Sequence, residues 1–234
     1  MKLAIISMTF MILIGGFSFA MPSNEEKIPD AWLPMLQEAD KSGSSQLLLS
    51  LTNFPGQTRA ELYCLEKASG TWHFAMPPIE AVVGRKGIAE PSLKREGDGR
   101  SPYGFFPIGT SFGYDAQFET RMPYLQVTSN DIWVDDPASP EYNRMVKKGT
   151  TQAKSFEEMK RKDDMYKLGM VVEYNTNPVI PGNGSAIFIH IWKKPFSPTA
   201  GCLAMSEEDI KNLLKFLDPG QKPLVGFIRK DLIQ

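Results

Sequence analysis

Beyond Gln46 the apolar residues of this chain arrive in bursts too short for an amphipathic helix of several turns. "QLLLSL", "AELYCLEK", "TWHFAM" and "AVVG" are separated by "NFPGQT" and "KASG". Punctuation of this kind by Gly, Pro and Asn predicts strands joined by hairpins. The same texture continues through the strand expected around 105–108. "PYLQVTSNDIWVDDP" predicts a strand pair turning at 129–131, and "GMVVEYN", "SAIFIHIW" and "PLVGFI" predict further strands. "SAIFIHIW" is apolar enough to be central. Helices are expected at three places only. "DAWLPMLQEADKSG" has Asp30 as N-cap and Gly43 as stop, and "SFEEMKRKDDMYKLG" opens with the capping-box pair Ser155 and Glu158. In "SEEDIKNLLKFLDPG", Ser206 caps, Ile210, Leu213, Leu214 and Leu217 form one stripe, and Pro219 and Gly220 end it. Residues 84–103, rich in Gly, Pro and charge, predict a structured loop. The sum is a β-rich α+β fold of mostly antiparallel short strands with a few short helices.

With 234 residues, 42% of them hydrophobic, the chain can bury one substantial core. A net charge of −1 gives no reason to expect nucleic acid as a partner, and no Gly-rich phosphate loop follows a strand. The first residues say more. Lys2, the apolar run "LAIISMTFMILIGG", and the small residues Ser18 and Ala20 read as a secretory signal peptide over 1–20. An uncleaved anchor is the competing reading, and the small residues before the cleavage point argue against it. Residues 21–45 are then a leader with the short helix, and 46–234 the main domain, with no stable membrane span after cleavage. For an exported chain with two cysteines, a Cys64–Cys202 disulfide is the default expectation. A nucleophilic Cys202 would exclude it. Cys64 and His73 otherwise read as ordinary strand residues.

The stretch "IFIHIWKKPFSPTAGCLAMS" carries the chemistry. His190 ends a central strand, and a proline-shaped loop leads to Cys202. A cysteine attacks as thiolate and needs a base, and Gly201 before it lets a carbonyl approach the backbone. The amides of Gly201 and Cys202 are candidate oxyanion donors, a contact commonly worth about 3 kcal/mol. Spacing alone leaves two readings open, a His/Cys catalytic pair or a buried strand histidine beside an inert loop cysteine. Two histidines and two cysteines lack the ligand spacing of a zinc site. The His-before-Cys order also disfavours a papain-like peptidase.

"GSAIFIHIWKKPFSPTAGCLAMSEEDI" resembles the active-site segment of the L,D-transpeptidase catalytic domain, the YkuD-like family, with His190, Thr199, Gly201 and Cys202 on its motif. "GRKG", "EGDGRSPYGFFPIGTSFGY", "WVDDPASPEYN" and "EYNTNP" extend the resemblance over roughly 46–228. It departs from many relatives in a shorter His-to-Cys loop, in Ala200 for a second histidine and in Ala204 for Arg or Asn. The resemblance implies an exported L,D-transpeptidase of the periplasm or cell wall, with Cys202 as nucleophile and His190 as general base and acid. Gly201 would supply oxyanion-hole backbone, and Thr199 would support the motif. Its substrate would be a peptidoglycan tetrapeptide stem, acylated at its L-centre with loss of D-Ala and passed to an amine as a 3-3 cross-link. No metal or organic cofactor is implied, and self-association is left open. L,D-carboxypeptidase action, with water as acceptor, and a non-catalytic wall-binding protein on the same fold are the alternatives. Arg85, Arg121 and Lys193 or Lys194 are candidates for the substrate's carboxylates, against a reading as solvated surface charges. Trp192 and Tyr142 are candidates for the groove, against simple packing roles. Asp135, Asp136 and Asn175 read as turn and scaffold residues.

Overall fold

The computed structural model describes residues 27–233, so the expected signal peptide lies outside the described residues. Helix α1 (Leu33–Lys41) precedes strands β1 (Gln46–Thr52), β2 (Arg59–Ala68), β3 (Thr71–Phe74), β4 (Ile79–Val82) and β5 (Gly104–Gly113). Then come β6 (Tyr124–Gln126), β7 (Asp131–Val134), β8 (Met145–Lys147), β9 (Phe156–Glu158) and β10 (Leu168–Val172). The chain ends through β11 (Phe188–Ile191), β12 (Leu203–Met205), α2 (Glu207–Phe216) and β13 (Leu224–Arg229). Among the described residues no helix is long and apolar enough to cross a membrane.

Strands β1, β13, β5, β10, β11, β12, β4 and β2 hydrogen-bond in that order, and β2 pairs back onto β1, closing a barrel. Side chains alternate across a strand, so each contributes one parity to the interior. Leu48, Leu62, Cys64, Met170, Ile189 and Phe227 form that interior cluster, and the α2 stripe of Ile210, Leu213, Leu214 and Leu217 joins it. The opposite parity is buried as well. Leu47, Leu49 and Leu224 pack against Met35 and Leu36 of α1, while Phe112, Val171 and Phe188 meet Trp133 of a second, three-stranded sheet in the order β8-β7-β9. Double-sided cover explains why "QLLLSL" reads as a continuous apolar run.

The larger sheet is mixed, which qualifies the expectation of a mostly antiparallel arrangement: β1–β13, β5–β6 and β11–β12 are parallel pairs among antiparallel ones. A parallel neighbour needs a crossover, so the loop between β11 and β12 must carry the chain back along β11 before β12 starts. Two local expectations fail. β6 pairs with β5 and β7 joins the second sheet, so they are not a hairpin. Asp131 accepts from the N–H and hydroxyl of Thr128 and from Lys147, which turns the chain out of the first sheet. The segment opening at Ser155 forms β9, not a helix: Phe156–Glu158 pairs with β7, and tertiary strand pairing overrides local helix propensity. The last helix is as expected, the Asp209 N–H donating to Ser206 Oγ at 3.1 Å. Gly43 stops α1 at φ +69, although Asp30 opens a short 3-10 turn ahead of the helix and makes no side-chain cap.

Candidate active site

In the β11–β12 ladder Ile189 stands opposite Leu203, and His190 opposite Ala204. Ile189 and Leu203 point into the barrel. By alternation Phe188, His190, Cys202 and Ala204 then share the outer face, so histidine and cysteine emerge on the same side of the wall, offset by two residues along the neighbouring strands. A strand, and not the α2 helix directly, follows Cys202. His190 lies between two small register neighbours, Gly169 on β10 and the fully buried Ala204 on β12. A Cβ at position 169 would come within 2.7 Å of both the Ile189 carbonyl and the Phe112 ring, so that neighbour has no room to grow.

Cys202 Sγ accepts from the Phe188 N–H at 3.4 Å and donates to the Ala186 carbonyl at 3.3 Å. The His190 Nδ1 lies 2.8 Å from the Ile191 carbonyl. A carbonyl only accepts, so Nδ1 carries the proton and Nε2 keeps the free lone pair. The Tyr166 ring meets the imidazole edge-on at 5.2 Å. Burial pushes the Cys202 thiol up to about 12, with the Glu157 charge adding to it. Burial pulls His190 down to about 4, against the raising effect of the Ile191 carbonyl. The resting pair is therefore a neutral thiol and a neutral imidazole, not a thiolate–imidazolium pair.

Thr199 and Gly201 shape the approach to the sulfur. Thr199 Oγ1 donates to the Cys202 carbonyl at 2.7 Å and accepts from the Gly201 N–H at 3.1 Å. The Gly201 amide, the backbone N–H expected as an oxyanion donor, is thus engaged by Thr199 in the resting structure. Ser101, fully buried and not singled out from sequence, donates to the Gly201 carbonyl at 2.7 Å and accepts from the Gly84 N–H at 3.0 Å. Thr199 is tied to the same segment through Val83 and Arg85. Ser101→Ala leaves two buried groups unpaired, so we expect a loss of about 1–3 kcal/mol in urea-unfolding free energy.

One cavity of about 290 Å³ is lined by His190 and Cys202 together with Arg85, Trp192 and Lys193. Other expected residues lie elsewhere. Arg121 bonds the Phe216 carbonyl and Asp218 beyond the α2 C-terminus and is absent from the lining of this cavity. Tyr142 is buried and forms no groove wall; its hydroxyl donates to Glu96 at 2.5 Å and accepts from the Gly184 N–H. Lys194 is exposed and absent from the cavity lining. Asp136 and Asn175 are scaffold as expected, capping turns at Ala138 and Ile180. Asp135 departs from that reading: it lines the cavity, and its Oδ1 is buried with no hydrogen-bond partner among the described residues. Lys94, Glu96, Glu157, Arg161 and Tyr166 line it too, none of them assigned from sequence. Glu157 was hidden by the helix reading of its segment. No period-2 pattern marks it either, because "FEEM" has its apolar residues three apart.

Both cysteines are free. Cys64 faces the barrel interior and Cys202 its outer surface, so the wall itself separates them and the default disulfide does not form. The family profile of the L,D-transpeptidase catalytic domain, YkuD, matches residues 57–225. No curated protein and no solved structure matches the chain.

Proposed function

Because the chain belongs to the L,D-transpeptidase catalytic domain family, whose members are acyltransferases, we propose that it is an exported cysteine acyltransferase of peptidoglycan stem peptides. The observation that carries this reading is the emergence of His190 and Cys202 on one face of the barrel wall, into one cavity. Cys202 attacks the carbonyl at the L-centre of a tetrapeptide stem while its proton passes to His190 Nε2. The Ile191 carbonyl holds the ring and favours the imidazolium that forms. With the Gly201 N–H engaged, the Cys202 amide is the backbone donor assigned to the oxyanion. His190 then protonates the departing D-Ala amine, leaving a thioester that an amine from a second stem resolves. Arg85 and Lys193 supply positive charge at the cavity for the stem's carboxylates. The N-terminal segment 1–20 directs export to the periplasm or cell wall.

Intact-mass analysis of the mature chain with purified tetrapeptide tests the reading directly, since the acyl-enzyme carries the stem minus D-Ala. Cross-linked dimers among the products mark transpeptidation, tripeptide alone marks carboxypeptidation, and no acylation marks a binding protein. The neutral resting pair sets the pH dependence. Protonation removes the Nε2 lone pair, so the base is lost as pH falls through the ring's value of about 4. Acylation should be level above about pH 5 and fall about tenfold per unit below about pH 4. A decline already centred at pH 6.5, the ordinary imidazole value, would contradict a buried neutral base.

A further inference from the structure

The cavity at the thiol is not isolated. A second one, of about 470 Å³, shares Asp135, Glu157 and Arg161 with it and is otherwise bounded by Phe156, Glu158, Lys162 and Asp163. A transferase joining two peptides needs two approaches to one thioester. The second opening carries four carboxylates against two cations, a balance that suits an acceptor arriving as an ammonium.

Glu157 stands where the approaches meet. It lies opposite Trp133 in the β7–β9 ladder, and Trp133 packs on Phe188, so both side chains face the catalytic wall. The carboxylate is held on one oxygen only. Tyr166 donates its hydroxyl to Oε2 at 2.5 Å, and Arg161 reaches the same Oε2 at 3.4 Å. Arg161 is otherwise committed to Asp163 through two bonds, at 2.8 and 2.9 Å. Oε1 has no hydrogen-bond partner among the described residues, and neither has the buried Oδ1 of Asp135 beside the same opening.

We propose that Glu157 is a further catalytic residue: the base that takes a proton from the incoming acceptor ammonium at Oε1, with Asp135 helping to hold that ammonium. The inference rests on the acyl-enzyme reading above. The ammonium gives one proton to the Glu157 carboxylate and becomes a neutral amine. Its nitrogen bonds to the thioester carbonyl carbon, the C–S bond breaks, and the electron pair stays on sulfur. The nitrogen's second proton passes through His190 to that sulfur, restoring the thiol, and Glu157 returns its proton to water. Hydrolysis would need none of this charge, so the acidic opening speaks for an amine acceptor.

The test compares the mature chain with its Glu157→Gln variant, in which the amide oxygen still accepts from Tyr166. Each is loaded with tetrapeptide, desalted as the thioester, and followed by intact mass with glycine amide or with hydroxylamine. Glycine amide arrives as a cation at neutral pH, whereas hydroxylamine arrives mostly unprotonated. We expect release by glycine amide to slow about tenfold in the variant, with release by hydroxylamine nearly equal in both proteins. Equal release by glycine amide overturns the proposal, as does equal slowing with both nucleophiles, which would mark a merely structural role. A variant that cannot be loaded overturns it too, because Glu157 would then act before the amine step. A parent that never acquires the acyl mass brings down the acyl-enzyme reading, and this inference with it.

Discussion

Replacement of Cys202 by alanine is expected to abolish the acyl-enzyme completely, and His190→Ala to slow its formation by about 10⁴-fold, in variants that still fold. The size of the second effect follows from the resting protonation states. A thiol raised to about 12 by burial gives almost no thiolate at neutral pH, so no reserve of nucleophile remains once the base is removed. In a preformed ion pair some thiolate would survive loss of the ring. On the proposed mechanism sulfur and proton part as the attack occurs, with His190, on the same face of the wall, as the acceptor. Stopped-flow mixing with tetrapeptide, read by mass, checks both variants. His190→Ala acylating within about tenfold of the parent would mean that another group takes the proton.

Phe188→Ala is expected to cost about 3–5 kcal/mol, the largest loss from any single truncation near the site. Phe188 is fully buried, and its ring meets those of Phe112 at 5.5 Å, Trp133 at 5.1 Å and Tyr166 at 5.4 Å, all edge-on. It joins the barrel wall to the second sheet, so truncation opens a cavity between two layers whose backbones cannot both close on it. Its N–H also donates to Cys202 Sγ, which ties the loss of packing to the setting of that thiol. Urea unfolding, with the midpoint and slope read together, measures the change. A cost below about 1 kcal/mol would show that the two layers are held mainly from elsewhere.

The distance between reading and structure is clearest in the second sheet. "SFEEMK" carries a sound local helix signal, and nothing within it announces that β7 offers an open edge. Glu157 was therefore overlooked, and with it the approach that Asp135 and Arg161 share. Tyr142 and Arg121 have side chains suited to a peptide site, but side-chain chemistry says nothing about direction. The former turned out to brace Glu96 and the latter to sit beyond α2. The cysteines show the same limit, since their number suggested a bond that only the closed barrel forbids.

What the sequence determined by itself was local and periodic: the short strands, the Ser206-capped helix, the family, and the motif that makes His190, Thr199, Gly201 and Cys202 candidates. These follow from alternation, capping and a contiguous motif, all of which act over a few residues. Only the tertiary structure decided which faces of those strands look inward, that the pair rests neutral, and that Ser101, Tyr166 and Glu157 surround it. Burial and strand register arise from contacts between segments far apart in the chain, and desolvation is a property of the assembled wall and not of any residue in it.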